Sequence, residues 1–265
     1  MTDQDILNAY SENASSEAFT EIVQRYSGPV YSSCMRILGN RHEAEDAAQE
    51  VFIVFARKAR EKRIGDSLPG WLVRTAEYVS RNARRARVRR TIHERETEPP
   101  APVLPAEPGV EAAAWAAIRP HLDEALAELP AAQRDALILR YLRGLDRAAI
   151  AREMGCAERT VNTWLTRGLE RLREGLGRRG ITIAGALLAV LLSTRAADAA
   201  PATLAAGVSA AVASGAAPAA WALAAAESLP AAASAIPAFL TLAKIGAALG
   251  AFAAAIAISI PRQRP

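Results

Sequence analysis

Cysteine, histidine and aromatic residues are all scarce in this sequence: two cysteines, three histidines and 5% aromatics in 265 positions. Each scarcity excludes something. Cys34 and Cys156 lie far apart in helical contexts, which gives no disulfide framework and points to reduced thiols. His42, His93 and His121 are scattered, with no second histidine or cysteine at ligand spacing, so no metal and no cofactor is read. No nucleophile-base pair and no glycine-rich phosphate loop occurs, which leaves no enzyme to argue for. The opening MTDQDILNAYSENASSEAF is acidic and polar without an apolar core, so no secretory signal is expected and the cytosol is the expected compartment.

Charge is also missing from one end. From Ile181 onward alanine dominates and the only charged residues are Arg195, Asp198, Glu227, Lys244, Arg262 and Arg264. The net charge of +4 therefore says less than its clusters, because screening limits the reach of each charge to about 10 Å.

What is present in residues 1–180 is helical periodicity. Phe19, Ile22, Val23, Tyr26, Val30, Tyr31, Cys34, Ile37 and Leu38 recur at helical spacing, interrupted around Gly28 and Pro29, and read as one or two core-facing helices ended by Gly39 and Asn40. In RHEAEDAAQEVFIVFARKA, Ala44, Ala47, Ala48, Val51, Phe52 and Phe55 make an apolar stripe, while Glu43, Asp46 and Glu50 make an acidic one. Three acids without lysines at i,i+4 repel one another, which is tolerable where a basic partner docks.

The next helix starts at Pro69 and Gly70, turns Leu72, Val73, Ala76 and Val79 inward with Trp71 and Tyr78 nearer the surface, and runs into RNARRARVRR, six arginines in ten residues. Such a run is by default a solvated face. Aromatics beside it shift the reading toward single-stranded nucleic acid, since a ring stacks on a base at about 1–3 kcal/mol while arginine holds phosphate. Pro99, Pro100, Pro102, Pro105 and Pro108 then forbid a helix and mark a stiff linker. Beyond it come two short helices parted at Pro130 and a helix-turn-helix. Asp146 caps its first helix, Gly155 makes the turn, and Val161, Leu165, Leu169 and Leu172 face inward from its second. Arg159, Asn162, Thr163 and Arg167 fall outward, arginine suiting guanine and asparagine adenine in a major groove.

The acidic AEDAAQEVF helix, the WL helix ending in arginines, the proline-rich linker and ELPAAQRDALILRYLRGLDRAAIAREMGCAERTVNTWLTRGLERLRE together resemble an extracytoplasmic-function sigma factor, the short branch of the sigma-70 family of bacterial RNA polymerase. The resemblance covers roughly residues 10–177. It implies an all-α chain: a region 2 bundle over 10–94, the linker over 95–117 and a region 4 helix-turn-helix over 118–177; composition adds an alanine-rich extension over 178–265. It also implies core RNA polymerase and promoter DNA as partners, and leaves room for an anti-sigma factor. Glu43, Asp46, Gln49 and Glu50 would meet the basic clamp helices of the polymerase. Trp71, Arg74, Tyr78, Arg81, Asn82, Arg84 and Arg85 would melt and read the minus-ten element, and Arg159, Thr160, Asn162, Thr163 and Arg167 the minus-thirty-five element. Glu77 and Tyr78 stand where the family often has an Arg-Asn pair, Asn82 where it has Asp, Trp164 where a basic residue is common, and Ala157 where a serine cap is usual.

In the extension, residues 181–192 are apolar but too short to span roughly 30 Å of hydrocarbon. Residues 199–226 are broken by Pro201, Gly207, Gly215 and Pro218. Residues 237–260 are long enough to span, with Lys244 able to snorkel and Gly246 and Gly250 forming GxxxG, so a tether to the inner membrane is an expectation here. Two other readings remain open: a stand-alone helix-turn-helix regulator, which leaves the acidic stripe and the arginine run unused, and a membrane-bound adaptor whose basic run binds anionic lipid.

Overall fold

A computed structural model describes residues 1–62, 64, 67–94, 109–219 and 222–224. Every regular element among them is helical. Four helices build the first bundle: α1 (Asp3–Asn13), α2 (Ser16–Leu38), α3 (Arg41–Arg60) and α4 (Leu68–Glu94). The two apolar stripes read from the sequence supply its core, where Ile22, Tyr26, Phe52, Phe55 and Leu72 are sealed from solvent. Pro29 does not divide α2, which runs unbroken. A proline inside a helix costs about 3 kcal/mol, and here burial of nearly the whole inward face of α2 outweighs it. The periodicity misplaces one residue near the end of α2: Ile37 is half-buried, and the charged Arg36 is buried beside it.

The second bundle comprises α5 (Val110–Ile118), α6 (Leu122–Ala127), α7 (Ala131–Leu137), α8 (Arg147–Glu153) and α9 (Glu158–Gly177). Helix α5 begins inside the stretch read as linker, after the last proline, where EAAAWAAI regains helical propensity. Between α7 and α8, Ile138–Leu142 widens into a π-helical turn. Asp146 accepts from the Ala149 amide at 2.7 Å and caps α8. Gly155 turns the chain toward α9 at φ +61°, a conformation that costs a residue with a Cβ about 1–2 kcal/mol.

The extension is not a free tail over its described part. Helix α10 (Gly185–Arg195) buries Leu188, Leu191 and Leu192 in the second core, and α11 (Ala202–Ala213) buries Leu204 and Val208 in the first. None of the described helices is long and apolar enough to cross a membrane, and residues 237–260 lie outside the described residues.

The two bundles share a packed interface. Val73 of α4 belongs to the second core. Where α4 starts, a Cβ on Gly70 would meet Arg134 Nε at 2.6 Å and Asp135 Oδ1 at 2.7 Å, so α4 and α7 approach this closely because residue 70 has no side chain. A buried ion pair joins α2 to α6: Arg36 donates to Asp123 at 2.8 and 2.7 Å, Ser33 Oγ donates to the same carboxylate at 2.8 Å, and Arg36 Nη1 reaches the Ala196 carbonyl at 2.5 Å. At the other end Asp3 receives Arg25 and Arg143, each at 3.0 Å, and the Tyr26 hydroxyl.

Removing one member of a buried pair strands the other charge, at a cost of about 3–5 kcal/mol. Arg36→Ala should lower the unfolding free energy measured in urea by that amount, and the Arg36→Met/Asp123→Leu double variant should recover most of the loss. Equal stability of Arg36→Ala and the parent chain would show that the pair holds nothing together.

Candidate nucleic-acid interface

Helix α3 carries the acidic set. Asn40 caps its start by accepting from the Glu43 amide at 3.1 Å, and Ala47, Val51 and Phe55 anchor its inner face. Asp46 is exposed, whereas Glu43, Gln49 and Glu50 are half-buried. The stripe is not wholly open. Glu43 pairs with Arg87 of α4 at 2.8 Å, and Glu50 Oε2 accepts the Ala219 amide at 3.0 Å. The mutual repulsion read from the sequence is relieved inside the chain, by an arginine of the basic run and by backbone from the extension.

Helix α4 presents Trp71, Arg74, Tyr78, Arg81 and Arg85 at spacings of three and four, with Asn82 and Arg84 alongside. The stripe is real, but its members differ. Trp71 is half-buried with its ring edge-on to Phe55, centroids 6.0 Å apart, so its indole is a wall of the first core as well as a surface. Arg74 lies half-buried near Arg134, and burial, reinforced by that second guanidinium, lowers its pKa from the usual value. Arg81 bonds Glu77 at 3.3 Å and Glu124 of the second bundle at 3.1 Å. Arg84 and Arg85 are exposed and, with Arg87, Arg89 and Arg119, line a groove whose acidic members are Glu77, Asp123 and Glu124. Arg119 in that groove was not foreseen, because a lone arginine after α5 carries no pattern.

The departure at Glu77 has a structural role. Its side chain faces the second bundle, and burial, helped by the nearby Asp123 and Glu124 and opposed by Arg81, raises its pKa to about 7.

Helix α9 buries Val161, Leu165 and Leu172 and half-buries Leu169. Arg159, Asn162, Thr163 and Arg167 are exposed and Thr160 is half-exposed, so the five residues read as groove contacts share the outward side of the first three turns. Thr163 Oγ1 donates back to the Arg159 carbonyl at 3.0 Å. Trp164 packs partly onto the second core, which explains a ring where a basic residue was expected. Ala157 sits at the cap with extended backbone and no side-chain hydrogen bond.

The family description Sigma-70 region 2 matches residues 22–90, and Sigma-70, region 4 matches residues 121–172. The chain belongs to the extracytoplasmic-function branch of the sigma-70 family. It is 29% identical over 177 residues to the ECF RNA polymerase sigma factor SigE of Mycolicibacterium smegmatis, covering 65% of this chain and 67% of the relative. It is 28% identical over 173 residues to SigW of Bacillus subtilis, covering 60% and 89%. A solved complex of the sigma factor RpoE with the anti-sigma factor NepR from Bartonella quintana matches 61% of this chain and 98% of that one at 21% identity and a TM-score of 0.26. As a sigma factor the chain has no catalytic activity of its own; it binds core RNA polymerase and promoter DNA and directs transcription initiation.

The Glu77 carboxyl gives this sigma factor a pH-dependent stability. Its pKa in the folded chain is raised to about 7 from the ordinary 4.5, so between those values the folded chain holds a proton that the unfolded chain has lost. Stability then falls as pH rises through this window, by a total of about 3 kcal/mol once pH exceeds 7. Glu77→Gln should flatten that decline, matching the parent at pH 5 and exceeding it at pH 8 in urea midpoint. Parallel pH profiles for the two chains would mean that Glu77 titrates in contact with solvent.

Proposed function

We propose that the acidic side of α3 docks the polymerase clamp, that α4 reads and holds the minus-ten element, and that the outward side of α9 reads the minus-thirty-five element. The observation that carries this is α9 itself: Arg159, Asn162, Thr163 and Arg167 stand exposed over a sealed row of Val161, Leu165 and Leu172. A surface helix needs only its inner row to fold, so the identity of the outer row is free to serve recognition. The exposed Arg84 and Arg85 supply phosphate contacts, which position the protein without selecting sequence. Trp71 and Tyr78 are half-buried, so each remains partly open at the surface, where an aromatic ring stacks on an unstacked base. The protein acts where core polymerase acts, in the cytoplasm. The tether expected of 237–260 adds nothing to this reading, and the lipid-adaptor alternative leaves the outer row of α9 without a task.

The polymerase face is tested at Asp46, the exposed acid of the set. Asp46→Lys should weaken binding to core polymerase by tenfold or more and leave the unfolding free energy measured in urea within about 0.5 kcal/mol of the parent, since no packing changes. Full binding by this variant would remove the assignment of α3.

The two DNA readers should fail in different ways. Asn162→Ala should cost about 1–3 kcal/mol and relax preference at one upstream base pair in transcription from a promoter library. Arg84→Ala/Arg85→Ala should weaken promoter-complex formation across all sequences and flatten its dependence on salt, because fewer counterions are released. A uniform loss from Asn162→Ala would mean that α9 does not enter the major groove.

A further inference from the structure

The extension meets α3 on the side assigned to polymerase. Helix α11 lies across α2 and α3, burying Leu204 and Val208 completely, with Ala205, Val212, Ala219 and Leu223 packed at the margin and Ala222 sealed. Its contacts reach the acidic set itself. Glu50 accepts the Ala219 amide at 3.0 Å, and a Cβ on Gly207 would lie 3.1 Å from Gln49 Nε2, so α11 passes directly over Gln49. Upstream, the segment is pinned by polar contacts: the Asp198 amide donates to Ser32 Oγ at 2.6 Å, Ser32 Oγ donates to the Asp198 carbonyl at 3.1 Å, and Arg36 holds the Ala196 carbonyl.

We propose that residues 196–219, with Ala222 and Leu223, are a built-in cover of the polymerase-binding face, which must leave α3 before core polymerase can seat. The proposal rests on the assignment of Gln49 and Glu50 to that face. Two features suit the segment to a reversible role. Helix α11 has twelve residues, ATLAAGVSAAVA, without a charge, and a helix of that length is marginal in water unless packed, so release and unfolding coincide. Beyond α11, the segment grips Glu50 through the Ala219 backbone amide, and a carboxylate drawn to a cationic partner exchanges that contact for a stronger, charge-assisted one. Asp46 remains exposed beside the cover and is left as the first point of encounter.

The test uses the full chain and core RNA polymerase. Leu204→Glu/Val208→Glu places two carboxylates where the first core admits none and should release α11, raising affinity for core polymerase at least tenfold. Adding Asp46→Lys to that variant should cancel the gain. In the parent chain, hydrogen exchange at the amides of residues 202–213 should quicken when polymerase is saturating, a readout that does not depend on how the variant folds. Amides of α11 that stay protected in the polymerase complex would overturn the cover. No gain from the double variant, with Asp46→Lys still weakening binding, would overturn the cover while leaving the polymerase face in place. Binding indifferent to Asp46→Lys would instead remove the assignment on which the cover rests.

Discussion

A single buried carboxylate, Asp123, organises this molecule. It takes two hydrogen bonds from Arg36 and one from Ser33, and the same arginine grips the Ala196 carbonyl, so the first bundle, the second bundle and the extension meet at one ionic centre. Desolvating such a pair costs several kcal/mol per ion, and replacement by well-packed apolar groups is often neutral or better. The centre therefore contributes more to choice of arrangement than to net stability. An apolar patch would let α6 slide on α2; a bidentate guanidinium does not. The Glu77 carboxyl, the Arg81–Glu124 bridge and the basic groove all exist because α4 and α6 are held beside one another from this point.

The same arrangement conflicts with simultaneous reading of both promoter elements. Elements named for positions ten and thirty-five lie about 25 base pairs apart, roughly 85 Å at 3.4 Å per pair. A folded body of this size has a radius of gyration of about 17 Å. On the proposed assignment α4 and α9 cannot both be seated while Arg36 and Asp123 remain joined, and Arg81 is partly spent on Glu124 of the second bundle. On that assignment, the DNA-bound state is reached from the closed body by parting α2 from α6.

Much of this was legible in the sequence, and the limits have physical reasons. Amphipathic stripes announced α2, α3, α4 and α9, because helix burial leaves a period of 3.6 that composition cannot hide. The outward set of α9 followed from the same periodicity. The continuity of α2 through Pro29 did not, since a local rule says break and only long-range packing says otherwise. Arg36 and Asp123 were invisible for a related reason: a lone charge on an apolar face reads as a solvated helix end until its partner, 87 residues away, is brought to it. The proline run lies outside the described residues, but the stretch read as linker extended too far along, because EAAAWAAI, which forms α5, lacks a polar face to distinguish it from the alanine-rich extension. Helix α11 shows the opposite failure. Its residues suggested nothing but broken apolar chain, and their purpose became visible only as Leu204 and Val208 met α2 and α3.

Because α11 is carried on the chain whose face it covers, its docking is unimolecular. Its effective concentration, of millimolar order for a short connection, is fixed by chain length and not by expression. A separate inhibitor protein is titrated away when a cell makes more of its target. This one is synthesised with its target, one for one, in every copy. Raising the dose raises covered and uncovered molecules in the same proportion, so the competent fraction is a property of the sequence and of whatever draws residues 196–219 aside.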